Sequence, residues 1–186
     1  MNYFLLESLF VIFEPVLALK LTRDYSYSSL QISWAFTILL VTSLVGASIC
    51  VLLPEDLDKR KLILVTNLTL VVGVFCTGPS SLMHLPNSDI ILLVGLGITG
   101  FSAGVSNTLS MVEAIAGGVA AFPSESVSVS QSVSKFLNAQ FGVISLVFPP
   151  LSSLLYKSIG FNKTLDIFGL VFLVYYVSLL VWSAPE

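Results

Sequence analysis

Glu14 stands inside an apolar run, Leu9-Phe-Val-Ile-Phe-Glu14-Pro15-Val-Leu-Ala-Leu19. An acid near the middle of a segment that crosses a bilayer costs roughly 2.5–3.5 kcal/mol on insertion scales. Residues carried at that cost usually mark a path for an ion, a proton or a substrate. A low dielectric disfavours the charged form of a carboxyl. Such a group takes up a proton and releases it when wetted or paired with a cation. That is the chemistry of a proton-coupled carrier. Pro15 lacks a backbone donor and is expected to break the helix locally, as broken helices in carriers often face the binding site.

Glu7 precedes Glu14 by seven residues. At about 100° per residue the two fall within roughly 20° of one helical face. Glu7 reads either as an interfacial acid or as a second member of a proton path. A further polar group follows the glycine-rich run Gly95-Leu-Gly97-Ile-Thr-Gly100-Phe-Ser-Ala-Gly104. It comprises Ser106, Asn107, Thr108, Ser110 and Glu113, and it suits a wet cavity better than lipid. Asn107 reads equally as an interhelical hydrogen bond and as a substrate contact. Glu113 reads as a solvated helix end or a site acid, with Lys135 as its expected partner. Gly100 and Gly104 form a G-x-x-x-G pair, which lets helices approach closely. Bending at these glycines is the functional alternative.

The elements that must hold these residues are membrane helices. The chain has 186 residues, 55% hydrophobic and 10% charged, with mean hydropathy +0.96. A soluble domain carries about 25% charge, so the class is a polytopic membrane protein. A span needs about 20 apolar residues, and six segments qualify: about 3–21, 30–53, 62–78, 90–114, 127–155 and 165–182. The expected fold is therefore an all-α bundle of six transmembrane helices in one domain, 1–186. The charged run Glu55–Lys61 is expected as a loop, as are His84–Asp89 and the segment around Gly117-Gly118 and Pro123. Alternating Ser and Val from Ser126 to Ser134 read as the wet start of the fifth helix, with Lys135 and Asn138–Gln140 turned to protein or a cavity. Pro149-Pro150 lie near its far end, and Trp182 suits an interfacial anchor. The polar–apolar alternation of a membrane barrel is missing.

Several function classes are set aside. Eight basic residues against eleven acids form no stripe for nucleic acid. Cys50 and Cys76 read as small buried thiols. His84 is the single histidine and reads as a loop residue. No metal site, cofactor site or catalytic constellation is expected. The opening residues lack the basic region of a cleavable leader, and no soluble domain is expected before or after the bundle. Orientation is close to a tie. Lys59, Arg60, Lys61 and Lys135 fall on one side, and Lys20, Arg23, Lys157 and Lys163 on the other. Asn162-Lys-Thr164 is a glycosylation sequon in the fifth loop. Asn67-Leu-Thr69 has the same form inside a span.

Phe13-Glu14-Pro15-Val-Leu-Ala-Leu19 resembles an acid-Pro signature in the seventh helix of the major facilitator superfamily's vesicular amine transporter group. Asn67 to Gly78-Pro79 is similar to that group's ninth helix. Gly100-Phe-Ser-Ala-Gly104, with Glu113 beyond it, is similar to the tenth. Pro149 and Tyr156-Lys-Ser-Ile-Gly160-Phe161 resemble the end of the eleventh. The resemblance covers nearly the whole chain and is greatest to the polyamine branch.

The resemblance implies that the six spans are helices seven to twelve, one half of the twelve-helix fold. The Glu55–Lys61 loop and both termini would then be cytoplasmic. The first and fourth spans would line a cavity holding Glu14, Asn107 and Glu113, with Glu7 one face-repeat away. The implied activity is exchange of lumenal protons for a small organic cation in a vesicle or other endomembrane. Monoamine carriers have an acid where Asn107 stands, and the polyamine branch has a glutamate where Glu113 stands. The Gly-x-x-x-Asp loop motif is degraded before Pro54-Glu55-Asp56. Phe148, Ser152 and Ser153 replace usual glycines, which predicts a looser contact for the fifth helix. Besides the bilayer, the expected partner is a second six-helix half, from an N-terminal half or a homodimer. A truncated or accessory membrane subunit without transport is the alternative.

Overall fold

The computed structural model describes residues 2–54, 57–78, 80 and 85–183, with Leu179, Trp182 and Ser183 described by their backbone alone. Expectations placed on Glu55, Asp56, Pro79, His84 and the Trp182 ring lie outside the described residues. Six long helices follow in order: α1 Asn2–Asp24, α2 Ser29–Val51, α3 Lys59–Thr77, α4 Asp89–Ala121, α5 Ser126–Ile159 and α6 Phe161–Ser183. A short 3-10 turn, Pro123–Glu125, joins α4 to α5, and no strand occurs among the described residues. Helices α2, α3 and α4, and α5 with the turn before it, are long and apolar enough to cross a membrane.

Local chemistry sets the helix ends. Ser28 opens α2 with a capping box: its Oγ accepts from Gln31 N, and its own backbone N–H donates to Gln31 Oε1 at 2.8 Å. Asp58 caps α3 by accepting from the backbone N–H groups of Arg60 and Lys61. Lys59, Arg60 and Lys61 therefore form the first turn of α3 rather than part of a loop. Gly160 takes a left-handed φ of 82° and turns α5 directly into α6. Asn162 of the sequon then lies in the first turn of α6.

The break expected at Pro15 does not occur. Helix α1 continues through Pro15. Val16 and Leu17, directly after it, are fully buried in the core, and this packing holds the chain helical past the missing donor. Helix α5 likewise continues through Pro149 and Pro150, where Ser152 Oγ donates to the Pro149 carbonyl at 3.0 Å. Gly117 and Gly118, expected in a loop, remain inside α4. The expected stop at Ala114 comes seven residues later, at Ala121.

Helix α4 lies between α2 and α3, and small residues set both contacts. Gly100 faces the Leu39 carbonyl and Thr42 of α2, and Gly104 faces the Ser43 carbonyl. On the other side Gly73 of α3 meets Thr99, and Gly95 meets Thr77. Backbone meets backbone here, as small-xxx-small packing allows. Helix α4 runs unbroken through Gly100 and Gly104.

Helix α1 buries Leu6, Phe13, Leu17 and Leu21 in a core shared with Leu70 and Val74 of α3, Leu96 of α4 and Phe172 of α6. Its other neighbour is α5, through an edge-to-face pair of Phe4 and Phe148 with centroids 5.9 Å apart. Ser152 is fully buried. Phe148 and Ser152 thus build packing where a looser contact was expected. The outer faces of α2, α5 and α6 expose Trp34, Leu44, Leu146, Leu154 and Val174, a surface suited to lipid.

Candidate substrate and proton site

Asn107 and Glu7 meet. Asn107 Nδ2 on α4 donates to Glu7 Oε1 on α1 at 2.7 Å. The Tyr3 hydroxyl, one turn before Glu7, lies beside that carboxyl. Both residues are half-buried. The Asn107 Oδ1 atom is buried and has no hydrogen-bond partner. An amide with one oriented donor and one free acceptor can serve a protonated carboxyl or a ligand N–H equally well.

Glu14 lies two turns further along α1 and is exposed. It borders a hollow of about 410 Å³ lined by Phe10, Val11, Phe36, Leu39, Leu40 and Phe141. Three aromatic residues and one carboxylate thus line the same hollow between α1, α2 and α5. No described residue bonds to Glu14. Glu113 points elsewhere. Its Oε2 lies 3.9 Å from Arg60 Nε of α3, a long surface contact of little energetic weight. The expected pair with Lys135 does not form. The Asp58 cap draws Arg60 into helix beside Glu113, while Lys135 stands exposed on α5. Asn138 and Ala139 are exposed too.

Of the four residues expected in one cavity, Glu7 and Asn107 are brought together. Glu14 forms a separate, open acid site. Glu113 caps a contact between α4 and α3.

A closed hydrogen-bond ring was missed by sequence reasoning. Asn67 Nδ2 donates to Asn2 Oδ1 at 3.1 Å, and Asn2 Nδ2 donates to Ser106 Oγ at 3.1 Å. Ser106 Oγ completes the ring by donating to Asn67 Oδ1 at 2.5 Å. Asn67 and Ser106 are fully buried. The ring ties α1, α3 and α4 together one position away from the Glu7–Asn107 bond. A lone asparagine in an apolar run was the available signal.

The pattern of the sugar (and other) transporter family matches residues 1–113. The chain belongs to that family. The matched region contains Glu7, Glu14, Asn107 and Glu113. Among its relatives is the MFS-type transporter SLC18B1 of Mus musculus, 26% identical over 183 residues, or 97% of this chain and 40% of the relative. The Rattus norvegicus protein of the same name is 27% identical over 167 residues, or 89% of this chain and 37% of the relative. The chain thus spans about two fifths of the length of these curated relatives. No solved structure matches it. This transporter-family chain is an integral, multi-pass membrane protein of major facilitator type, and the family is not enzymatic.

Proposed function

We propose that this chain forms one six-helix half of a proton-coupled transporter for organic cations, crossing the bilayer as a single bundle with membrane spans at about 3–21, 30–53, 62–78, 90–114, 127–155 and 165–182. It acts with a second half, either an N-terminal half or another copy of itself. The observation that carries this reading is the open carboxylate of Glu14 among Phe10, Phe36 and Phe141. An alkylammonium is drawn to a carboxylate and to aromatic faces together. A proton neutralises the same carboxylate, so proton and amine exclude one another and their exchange is coupled.

Glu7 and Asn107 supply a second polar station, between α1 and α4, and Glu113 stands further along α4. Asparagine rather than an acid at position 107 favours a polyamine over a monoamine, and a vesicle or other endomembrane is the matching setting. The second reading is an accessory subunit without transport.

The test is uptake into liposomes containing the purified chain, alone or with an N-terminal half, under an imposed pH gradient. Radiolabelled spermine should accumulate, and Glu14→Gln should abolish the accumulation. Lack of gradient-driven uptake in both preparations overturns the transport reading.

A further inference from the structure

Four of the eight lysines and arginines of the chain line one hollow of about 660 Å³. They are Lys20, Arg23, Lys157 and Lys163, and the one acid among the lining residues is Asp24. The hollow therefore carries a formal charge of +3 in a protein whose net charge is −3. It opens where α1 and α5 end and α6 begins, away from the Glu7, Glu14 and Asn107 stations.

Lys20 organises the wall. It is 4% exposed. Its Nζ pairs with Asp24 Oδ2 at 2.5 Å and donates to Asn87 Oδ1 at 3.2 Å and Asn162 Oδ1 at 3.4 Å. The ammonium has only donors, so it fixes both amides with their oxygens inward. The Asn87 oxygen also accepts from the Tyr25 hydroxyl at 2.8 Å. Both amide oxygens are thus engaged, while both Nδ2 groups donate to no described residue, and both residues line the hollow.

The remaining cations are not neutralised. Asp24 is engaged by Lys20, and Arg23, Lys157 and Lys163 have no carboxylate partner among the described residues. Arg23 rests on the Tyr156 ring at 5.8 Å. All three are exposed. The first turn of α6, Phe161 to Lys163, also lines the hollow, and backbone N–H groups at a helix start lack intrahelical acceptors. Gly160, with its positive φ, brings that turn against the end of α5. Apart from the Asp24 carboxylate, which Lys20 engages, the charged side chains of the hollow are all cations.

We propose that this hollow is a binding site for a phosphate group, either a lipid phosphomonoester or a soluble phosphate. Guanidinium and ammonium groups with amide donors are the complement of phosphate oxygens. A site at the end of the apolar helices lies at the level of lipid headgroups.

The test uses the full chain purified in an uncharged detergent, with its thermal unfolding midpoint as readout. The probes are inorganic phosphate, with chloride at equal ionic strength as control, and phosphatidic acid in mixed micelles, with phosphatidylcholine as control. A ligand that binds the folded state raises the midpoint saturably. At least one probe should do so, and the Lys157→Gln/Lys163→Gln variant should weaken that response about tenfold or more, for two lost charge-assisted contacts. A Lys59→Gln/Lys61→Gln variant, matched in charge and placed at the start of α3, should respond like the unmodified chain. A response to phosphatidic acid alone assigns the site to lipid; a response to inorganic phosphate assigns it to a soluble anion. No rise above the controls, or equal weakening in both variants, overturns the proposal.

Discussion

Asn107 of α4 donates a hydrogen bond to Glu7 of α1 across 2.7 Å, joining two residues one hundred positions apart. Replacing Asn107 by Leu leaves the Glu7 carboxyl without its interhelical donor in a half-buried setting. Chemical unfolding of Asn107→Leu should show a loss of about 1–3 kcal/mol. Glu7→Gln keeps a carbonyl acceptor at the same place and should lose less. Equal losses in the two variants would assign the effect to packing.

The ring of Asn2, Asn67 and Ser106 predicts coupling between α3 and α4. In a double-mutant cycle, Asn67→Ala and Ser106→Ala should be non-additive by roughly 0.6–1.7 kcal/mol, between the average and the largest coupling of hydrogen bonds between membrane helices. Additive unfolding energies would show that the bond between them contributes nothing.

Glycines in α4 should differ sharply. A Cβ at Gly104 meets the Ser43 backbone, and Gly104→Ala should destabilise by about 1–3 kcal/mol through forced separation of α2 and α4. A Cβ at Gly117 meets nothing within 4 Å. Gly117→Ala should therefore stabilise by about 0.5–1 kcal/mol through helix propensity alone. Thermal unfolding of the two variants in parallel checks the contrast.

Glu14 should separate stability from activity. It is exposed and bonded to no described residue, so Glu14→Gln should change unfolding energy by no more than about 0.5 kcal/mol. The same variant should lose gradient-driven uptake. Loss of both together would reassign Glu14 to the fold.

Asp58 predicts a pH dependence at the start of α3. Backbone and side-chain hydrogen bonds from Lys61 hold its carboxyl below the ordinary value of 3.8, helped by the Arg60 N–H. Just below that value the unfolded chain binds more protons at this position than the folded one, so stability falls as pH falls. The cap is intact above the ordinary value and lost as pH drops through the lowered one. Amide exchange at Arg60 and Lys61 should quicken on acidification through this window, and Asp58→Ala should exchange fast at every pH.

Much of the helix plan was legible in the chain. Each apolar run of span length falls on a long helix of the described residues, because hydrophobic length is a local property. The close approach of α4 to a neighbour was legible in Gly100 and Gly104 for the same reason. Helix ends were read less well. Asp58 followed by three basic residues looked like a water-filled loop, yet it forms a cap and a first turn. Pro15 looked like a break, yet buried neighbours keep α1 whole.

The sequence by itself determined that this protein lives in a membrane, that its helices are apolar, and that an acid stands inside the first of them. Those facts follow from composition and spacing along one chain. Only the tertiary structure decided which polar groups meet. It joined Glu7 to Asn107, closed the ring of Asn2, Asn67 and Ser106, and turned Glu113 to Arg60. It also gathered Lys20, Arg23, Lys157 and Lys163 around one hollow. Partners in a hydrogen bond are set by helix rotation and by contact between distant segments. Many side-chain contacts combine to fix that rotation, and no local spacing encodes it.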